Sequence, residues 1–248
     1  MKVVALISGG KDSCYNLCEC VKRGHEIVAL LNLYPSTDAE LDSFMYQTVG
    51  YQALDYYAQA IDIPLYRRAI KGEAINQNLN YSADNENDEV EDLFVALSEL
   101  RANGVQFDAI SVGAIHSNYQ RIRAQNVCDR LGIEMLAYLW GRNQQQLLED
   151  MIKDNIDAIL IKVAAMGLIP EKHLGKSIKE MHPILLKLHE EYGINVCGEG
   201  GEYETLTLDC PLFKKRLILE ESETVVHSND AFAPVAYLKP LKMRLEDK

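Results

Sequence analysis

Hydrophobic and polar positions alternate along the first two thirds of the chain in a way that predicts repeated strand–helix units. Short apolar runs predict strands at residues 2–8, 27–33, 64–69, 107–112 and 158–163. Helical spacing of Cys14, Leu17, Cys18 and Val21 predicts a helix over residues 12–23, and a second helix is predicted over residues 43–60. Strands that alternate with helices are typical of a parallel sheet, so the pattern predicts an α/β fold.

The pattern changes near residue 138, where we expect a domain of residues 1–137 to give way to a smaller lobe of residues 138–248. In that lobe, one helix is predicted over residues 144–153, and another is predicted to begin at Pro183 and end at Gly193. The acidic stretch at residues 80–92 has almost no apolar side chain to bury. We therefore expect a mobile surface insertion there rather than a site.

Charge and cysteine usage narrow the class of protein. The chain has 25 Lys plus Arg against 37 Asp plus Glu, a net charge of −12 that repels nucleic acid. No stretch approaches the about 20 apolar residues of a membrane span, and the first apolar run is too short for a signal peptide. The six cysteines never form a CxxC pair, which favours free thiols. We expect a cytoplasmic protein with neither a membrane nor a direct nucleic-acid partner.

The first predicted strand is followed by SGGKDS, from Ser8 to Ser13. Gly9 and Gly10 permit close backbone approach, and the loop presents N–H groups at the start of a helix, an arrangement that favours an anion. A Walker loop has a different glycine spacing and a Ser or Thr where Asp12 stands here. The loop therefore predicts a phosphate site of another class, with the Lys11 ammonium as its cation.

Two more strand ends carry residues suited to a ligand, at the edge where open α/β sheets bind one. These residues are Asn32, Leu33, Gly113, Ser117 and Tyr119. Either Ser117 or Asn118 is placed to cap the helix after the fourth strand. Arg121 and Arg123 lie on opposite flanks of the apolar face of that helix, and we expect Arg121 to point into the cleft, where it can meet a phosphate or a carboxylate.

The third candidate stretch is CGEGGEYETL, residues 197–206, which places Glu199, Glu202 and Glu204 among glycines. Repulsion between these carboxylates requires a cation. Three candidates for this cation stay open. They are magnesium on a nucleotide, a side chain (Lys11 or Arg121), and a positively charged substrate. Tyr203 adds an aromatic face beside the carboxylates, a combination that holds quaternary ammonium groups.

The strand–SGGKDS–helix arrangement resembles the PP-loop of ATP pyrophosphatases, which cleave ATP between its α and β phosphates. Over nearly the whole chain, the sequence resembles the diphthine–ammonia ligase family. The stretches that carry this resemblance are SGGKDSCYN, LDSFMYQTVG, PLYRR, SVGAIHSNYQRIR, YLWGRNQ, KVAAMGLIPEKHLGK and CGEGGEYETLTLDCPLFKK. The resemblance implies a HUP-type (Rossmann-like) parallel sheet in an α/β/α sandwich, with a second, smaller α/β lobe that bears the EGGEYET turn.

The resemblance also implies a reaction and its participants. ATP with Mg²⁺ would activate diphthine, a modified histidine on translation elongation factor 2, as an acyl-adenylate. Ammonia would then form the amide, with release of AMP and pyrophosphate. Lys11, Arg121 and Glu202 would be catalytic. The nucleotide would be bound by Ser8, Gly9, Gly10, Lys11, Asp12, Ser13, Asn32, Leu33 and Gly113, with Asp12 also reaching the metal. The substrate would be bound by Ser117, Tyr119, Arg121, Glu199, Gly200, Gly201, Glu202, Tyr203, Glu204 and Thr205.

Two alternative functions stay open from the sequence. One is a PP-loop enzyme that modifies tRNA by thiolation or adenylation, which would require a basic surface and, for sulfur transfer, paired cysteines. The other is a nucleotide-binding protein without turnover. The acidic charge and the cysteine spacing disfavour the first alternative, and the combination of Lys11 with the three-glutamate turn disfavours the second.

Overall fold

A computed structural model describes residues 1–36, 43, 45–78, 81–82 and 87–248. The chain forms two compact units that interleave along the sequence. The first unit comprises Met1–Ser8, Asn16–Thr48 and Ile63–Trp140, and the second comprises Gly9–Tyr15, Val49–Asp62 and Gly141–Lys248. Two short segments from the amino-terminal half thus belong to the second unit. The domain boundary near residue 138 stays a prediction.

The first unit contains a parallel sheet, which has five strands among the described residues, in the order β3-β2-β1-β4-β5. The strands are β1 (Lys2–Leu6), β2 (Glu26–Pro35), β3 (Leu65–Ile70), β4 (Ala109–Ser111) and β5 (Glu134–Leu136). The first four agree in position with predicted strands, and β5 is an addition. The strand order reverses at β1, so the sheet is Rossmann-like and has a switch point at β1.

Helices cover both faces of this sheet. They are α1 (Lys11–Lys22), α3 (Glu89–Ala102) and α4 (Asn118–Leu131). One buried cluster joins Val4, Leu31 and Ile110 of the strands to Leu97 and Val127 of α3 and α4. A smaller cluster on the other face joins strand residues to Cys20 of α1. The predicted α/β/α arrangement is therefore confirmed.

The second unit contains an antiparallel sheet in the order β7-β6-β9-β8. Its strands are β6 (Asp157–Val163), β7 (Tyr203–Asp209), β8 (Lys215–Ser228) and β9 (Val235–Asp247). Its helices are α2 (Leu54–Ile61), α5 (Gln144–Lys153), α6 (Pro170–His173) and α7 (Ile178–Tyr192). Among the described residues of the chain, none of the helices is long and apolar enough to cross a membrane.

Two predicted helices begin at other residues in the structure. The helix predicted over residues 43–60 starts only at a 3-10 turn, Tyr51–Ala53, which leads into α2. Gly50 precedes that turn with a φ of +82°, so a continuous helix cannot pass through it. The helix predicted to begin at Pro183 begins at Ile178, because Ser177 and Glu180 form a capping box ahead of it.

The acidic stretch at residues 80–92 is partly buried, contrary to the prediction, although residues 80 and 83–86 lie outside the described part. Asp88 caps α3 by accepting the Val90 N–H at 3.0 Å, and its other oxygen accepts the Asn76 N–H at 3.0 Å. Asp92 accepts the N–H groups of Lys71 and Gly72 at 2.7 and 2.8 Å. These carboxylates are buried because backbone donors satisfy them, which a composition argument does not detect.

Arg123 of α4 is fully buried. Its guanidinium donates to the carbonyls of Asn76 and Asn78, and it lies 3.3 Å from the centroid of the Tyr119 ring. Arg121, two residues earlier on the same helix, is exposed. The two side chains point in different directions, in agreement with the prediction. The clamp role of Arg123 is to hold the segment before α3 by hydrogen bonds to its backbone carbonyls.

Replacing Arg123 with leucine should lower the free energy of unfolding by about 3 kcal/mol, because buried carbonyls would lose their donor. Arg121→Leu, on the same helix but exposed, should change it by less than about 1 kcal/mol. Urea unfolding followed by far-UV circular dichroism measures both. Equal losses for the two variants would contradict the clamp role of Arg123.

Candidate active site

The glycine turn after β1 packs against β7. Gly9 has a φ of +90°, and a Cβ atom there would lie 3.1 Å from Leu54 Cδ2. Its carbonyl accepts the Thr207 N–H at 2.8 Å. Ser13 Oγ donates to the Gly10 carbonyl at 3.1 Å, which closes the turn onto the first residues of α1. The backbone at Gly9 therefore has both a conformation and a neighbour that favour glycine.

Lys11 begins α1 and is buried, with 2% of its surface exposed. Its backbone N–H donates to Thr205 Oγ1 at 3.0 Å. Its ammonium donates to the Cys197 carbonyl at 2.6 Å and to Asp12 Oδ2 at 2.8 Å, and it lies 5.1 Å from the centroid of the Tyr203 ring. A carbonyl, a carboxylate and an aromatic face thus surround the charge.

The surroundings keep Lys11 protonated. Burial by itself would lower the pKa of the Lys11 ammonium, but Asp12, Tyr203 and Cys197 together more than offset this effect, so that pKa lies above its ordinary value. Burial also raises the pKa of Asp12, against the opposing effect of Lys11. The Asp12 side chain is 31% exposed, yet its Oδ1 atom is buried and has no hydrogen-bond partner among the described residues. Asp12 Oδ1 is thus suited to accept from a bound ligand or cation.

Tyr203 supports Lys11 from the first position of β7. Its hydroxyl donates to the Val196 carbonyl at 2.6 Å, and 2% of the residue is exposed. A Cβ atom at Gly198 would lie 2.7 Å from the Tyr203 carbonyl oxygen and 2.8 Å from its ring, so the glycine allows this close approach. The Tyr203 ring already faces one cation, that of Lys11. Its predicted contact with the substrate stays a prediction, and its burial favours a positioning role.

Two of the three glutamates have identified partners within the second unit. Glu204 forms an ion pair with Lys162 of β6 at 3.2 Å. Glu202 Oε1 accepts the Asn195 N–H at 2.9 Å, while its Oε2 is buried without a hydrogen-bond partner among the described residues. Burial raises the pKa of Glu202, and Glu199 adds to that rise. Lys162 was not among the cations considered from the sequence, because only the pairing of β6 with β7 brings it to Glu204.

In the first unit, Asn32 ties the ends of β1 and β2 together. Its amide donates to the carbonyls of Ile7 and Leu33 at 3.0 and 3.2 Å. The Asn32 Oδ1 atom is buried and has no hydrogen-bond partner among the residues described. Ser8 Oγ donates to Gln47 Oε1 at 3.4 Å. These residues lie at the carboxyl edge of the sheet, as predicted, and their contact with a nucleotide stays a prediction.

The loop after β4 and the start of α4 also lie at that edge. Of the two candidate caps, Ser117 caps α4 by accepting the Gln120 N–H at 3.3 Å. Tyr119 faces the buried Arg123. The guanidinium of Arg121 lies 4.8 Å from the centroid of the Trp140 ring. Trp140 is part of the YLWGRNQ stretch. The sequence did not indicate it as a site residue, because no periodic pattern singles it out.

The thiols of Cys197 and Cys128 are protonated and buried. Burial raises the pKa of the Cys197 thiol to about 12. That thiol donates to the Gln144 carbonyl at 3.2 Å. Burial also raises the pKa of Cys128 to about 12. A nucleophilic or sulfur-carrying cysteine requires a thiolate, so neither residue fits that role.

A Rossmann-like parallel sheet whose first strand leads into a lysine-bearing glycine turn defines the class: a HUP-type α/β protein with a PP-loop sequence. The comparisons with known proteins are more specific, and the chain belongs to the diphthamide synthase family. The model of the diphthamide synthase N-terminal domain matches residues 1–135, and that of the C-terminal domain matches residues 143–239.

Similar proteins span the full chain. Diphthine–ammonia ligases of Bos taurus and Homo sapiens are each 58% identical to it over 252 residues, which covers 100% of this chain and 94% of theirs. The protein of that name from Schizosaccharomyces pombe is 53% identical and covers 100% of this chain, which corresponds to 40% of its own length. A solved structure described as a predicted tRNA methyltransferase subunit from Methanocaldococcus jannaschii is 15% identical in sequence. The match covers 82% of this chain and 95% of that one, and its TM-score of 0.35 is too low to support an argument.

Gly198→Ala should destabilise the protein more than Gly200→Ala. Both residues have positive φ, +75° and +92°, so both variants carry backbone strain of about 1 kcal/mol. Only at Gly198 would the new Cβ meet Tyr203, and displacing that ring should cost about 1–3 kcal/mol more. Urea unfolding of the two variants measures the difference. Equal stabilities would show that the Tyr203 position does not depend on close approach at Gly198.

Proposed function

We propose that the chain catalyses the ATP-dependent amidation of diphthine on translation elongation factor 2, with ammonium as the nitrogen source. The buried Lys11 ammonium beside the glycine turn is the observation that carries the proposal. The names of the relatives support the choice of diphthine and ammonia as substrates. The products are diphthamide, AMP and pyrophosphate.

The proposed chemistry follows from the poor reactivity of a carboxylate. Ammonia cannot displace an oxide from it, so the carboxylate must first acquire a better leaving group. Attack by a diphthine carboxylate oxygen on the α-phosphorus of ATP forms an acyl-adenylate and releases pyrophosphate. Ammonia then attacks the acyl carbon, AMP departs, and the nitrogen loses a proton as the amide forms. ATP is cleaved between its α and β phosphates, as the PP-loop sequence implies.

Lys11 and the glycine turn would stabilise the departing diphosphate. An ammonium has three N–H donors, and two of those of Lys11 go to the Cys197 carbonyl and to Asp12. The third would serve a phosphate oxygen, together with the backbone amides at the start of α1. Ser8 and Ser13 would hold further oxygens. Because the pKa of Lys11 is raised, the ammonium is charged at neutral pH.

Either of two buried carboxylate oxygens would offer a hard ligand to a divalent cation carried by ATP. They are Asp12 Oδ1 and Glu202 Oε2, which have no hydrogen-bond partner among the described residues. Mg²⁺ prefers such hard oxygen ligands and keeps several ligands from water and phosphate. When bound, it would neutralise charge on the triphosphate. In the proposed division of roles, Asp12 reaches the metal, Glu202 acts in catalysis, and Glu199 and Glu204 shape the substrate side of the turn with Gly200, Gly201 and Thr205.

Arg121 would bind the diphthine carboxylate before its activation. A guanidinium suits a planar carboxylate because it can donate two parallel N–H bonds. Gly113, Leu33 and Asn32 would line the nucleotide at the carboxyl edge of the sheet, with Ser117 and Tyr119 on the substrate side. Asn32 Oδ1, buried and unpaired among the described residues, is suited to accept from an amino group of the nucleotide.

Replacing Lys11 with methionine should lower AMP formation by about 10²–10³-fold, because the charge beside the leaving diphosphate is lost. The assay combines ATP, an ammonium salt and diphthine-bearing elongation factor 2, and measures AMP and pyrophosphate. Lys214→Met is the matched control, since that exposed lysine of the same unit pairs with Asp62 on the surface.

Lys11→Met also removes a buried charge partner of Asp12, so its folding is checked by circular dichroism. Lys11→Arg keeps the charge and provides a second variant. Formation of ADP by the unmodified protein would contradict the proposed chemistry. Pyrophosphate release without dependence on the diphthine-bearing factor would contradict the proposed substrate, and absence of any turnover would favour a binding protein.

Cys197 and Cys128 should resist alkylation by iodoacetamide in the folded protein at pH 8. With pKa values of about 12, only about one such thiol in ten thousand is ionised at that pH. Peptide mass mapping measures the modified fraction, and the protein unfolded in urea, where the thiols regain ordinary pKa values, is the control. Rapid modification in the folded state would revive the sulfur-transfer alternative.

A further inference from the structure

Trp140 is the sole tryptophan of the chain and lies four residues after the end of β5. It is half-buried. The guanidinium of Arg121 lies 4.8 Å from the centroid of its ring, and the exposed His116 ring lies 6.5 Å away at an interplanar angle of 54°. All three residues follow the carboxyl ends of β4 or β5. They therefore lie at the edge of the first unit's sheet where ligands of open α/β sheets bind.

The ring of Trp140 differs from the other aromatic rings near predicted site residues. The Tyr203 ring faces Lys11, whose ammonium is fixed by the Cys197 carbonyl and Asp12. The Tyr119 ring faces Arg123, whose guanidinium is fixed by backbone carbonyls. Both tyrosines are therefore committed to buried cations that cannot leave without breaking hydrogen bonds.

Arg121 is not fixed in this way. Within the described residues, its side chain makes no hydrogen bond or salt bridge, and the contact with Trp140 is what positions it. A cation–π contact at a partly exposed site is worth about 0.5–1 kcal/mol. A carboxylate that offers two hydrogen bonds would draw the guanidinium away from the ring, since charge-assisted bidentate bonds are stronger. The Trp140 face would then be available to another cation.

We propose that Trp140 and Arg121 together bind the substituted amino-acid end of diphthine, with the trimethylammonium group on the Trp140 ring and the carboxylate on Arg121. The inference rests on the proposed function for the identity of the substrate. Diphthine carries both groups on one carbon atom, so one ligand satisfies the arginine and replaces it on the ring. The exchange keeps a positive charge over Trp140 throughout.

This arrangement makes Trp140 a specificity-determining residue. A trimethylammonium group cannot donate a hydrogen bond, so recognition has to come from an aromatic face or from charge. A ligand with the carboxylate alone would engage Arg121 but leave the ring without a cation. The Trp140–Arg121 pair thus selects the fully methylated acceptor at the step in which its carboxylate is positioned for activation.

Tryptophan fluorescence reports directly on this site because the chain has one tryptophan. The probe is α-(trimethylammonio)butyrate, and the control ligand is its isostere with a carbon atom in place of the quaternary nitrogen. We expect a saturable change in emission with the probe and at least about tenfold weaker binding of the isostere. No change with the probe, or equal binding of both compounds, would overturn the proposal. Neither titration requires ATP or turnover.

Kinetics with diphthine-bearing elongation factor 2 provide the second measurement. Trp140→Leu should raise the KM for the factor about tenfold and leave the KM for ATP unchanged, while Trp140→Tyr, which keeps an aromatic face, should stay within about threefold of the unmodified protein. Arg130→Lys, on the helix that carries Arg121, is the control, because the Arg130 guanidinium lies 3.9 Å from the centroid of the Phe94 ring and apart from the site. Equal KM for the factor in Trp140→Leu and the unmodified protein would contradict the assignment.

The two experiments separate this inference from the proposed function. If the protein binds the probe on Trp140 but forms no AMP, the result supports the binding site and contradicts the proposed reaction. If the protein forms AMP and pyrophosphate with the diphthine-bearing factor, yet neither the probe nor Trp140→Leu has an effect, the result supports the reaction and contradicts the binding site.

Discussion

The buried ammonium of Lys11 is the interaction on which the second unit's site depends. Removing an ammonium from water costs several kcal/mol unless hydrogen bonds and opposite charge offset it. Here the Cys197 carbonyl, the Asp12 carboxylate of α1 and the Tyr203 ring of β7 provide this compensation. A single charge therefore holds the Cys197–Tyr203 segment against the first turn of α1.

The same pairing of a cation with an aromatic ring recurs with two different consequences. Lys11 with Tyr203 and Arg123 with Tyr119 are buried pairs, and hydrogen bonds from each cation to a backbone carbonyl hold it in place, so these contacts are fixed. Arg121 with Trp140 is exposed and lacks such carbonyls among the described residues. The number of hydrogen-bond donors already used, rather than the cation–π contact itself, separates a fixed pair from an exchangeable one.

Buried acidic residues illustrate where composition misleads. Asp88 and Asp92 belong to a stretch that looks like solvated surface, yet backbone N–H groups from another segment satisfy their carboxylates. Glu204 likewise has its charge balanced by Lys162 from a neighbouring strand. In each case the partner lies far away in the sequence, so neither charge counting nor local periodicity indicates burial.

Periodicity along the sequence was sufficient for β1 to β4 of the parallel sheet, the position of α1 and the whole of α5, because local spacing of apolar residues and nearby end signals set these elements. It missed β5, and the strand predicted at residues 158–163 is β6 of the antiparallel sheet. The SGGKDS turn could also be recognised, since its glycines and lysine are contiguous. The start of α7 was predictable in principle from Ser177 and Glu180, whose capping box is a local signal. The late start of α2 was not, because the left-handed conformation of Gly50 accompanies close packing against Ile161.

The sequence by itself determined the class of fold and the family, because both reside in contiguous patterns. The tertiary structure alone decided which side chains are buried, which cation meets which aromatic ring, and that Trp140 lies beside Arg121. Those outcomes depend on contacts between residues far apart in the chain, and the free energy of a buried charge is set by such contacts rather than by its neighbours in sequence.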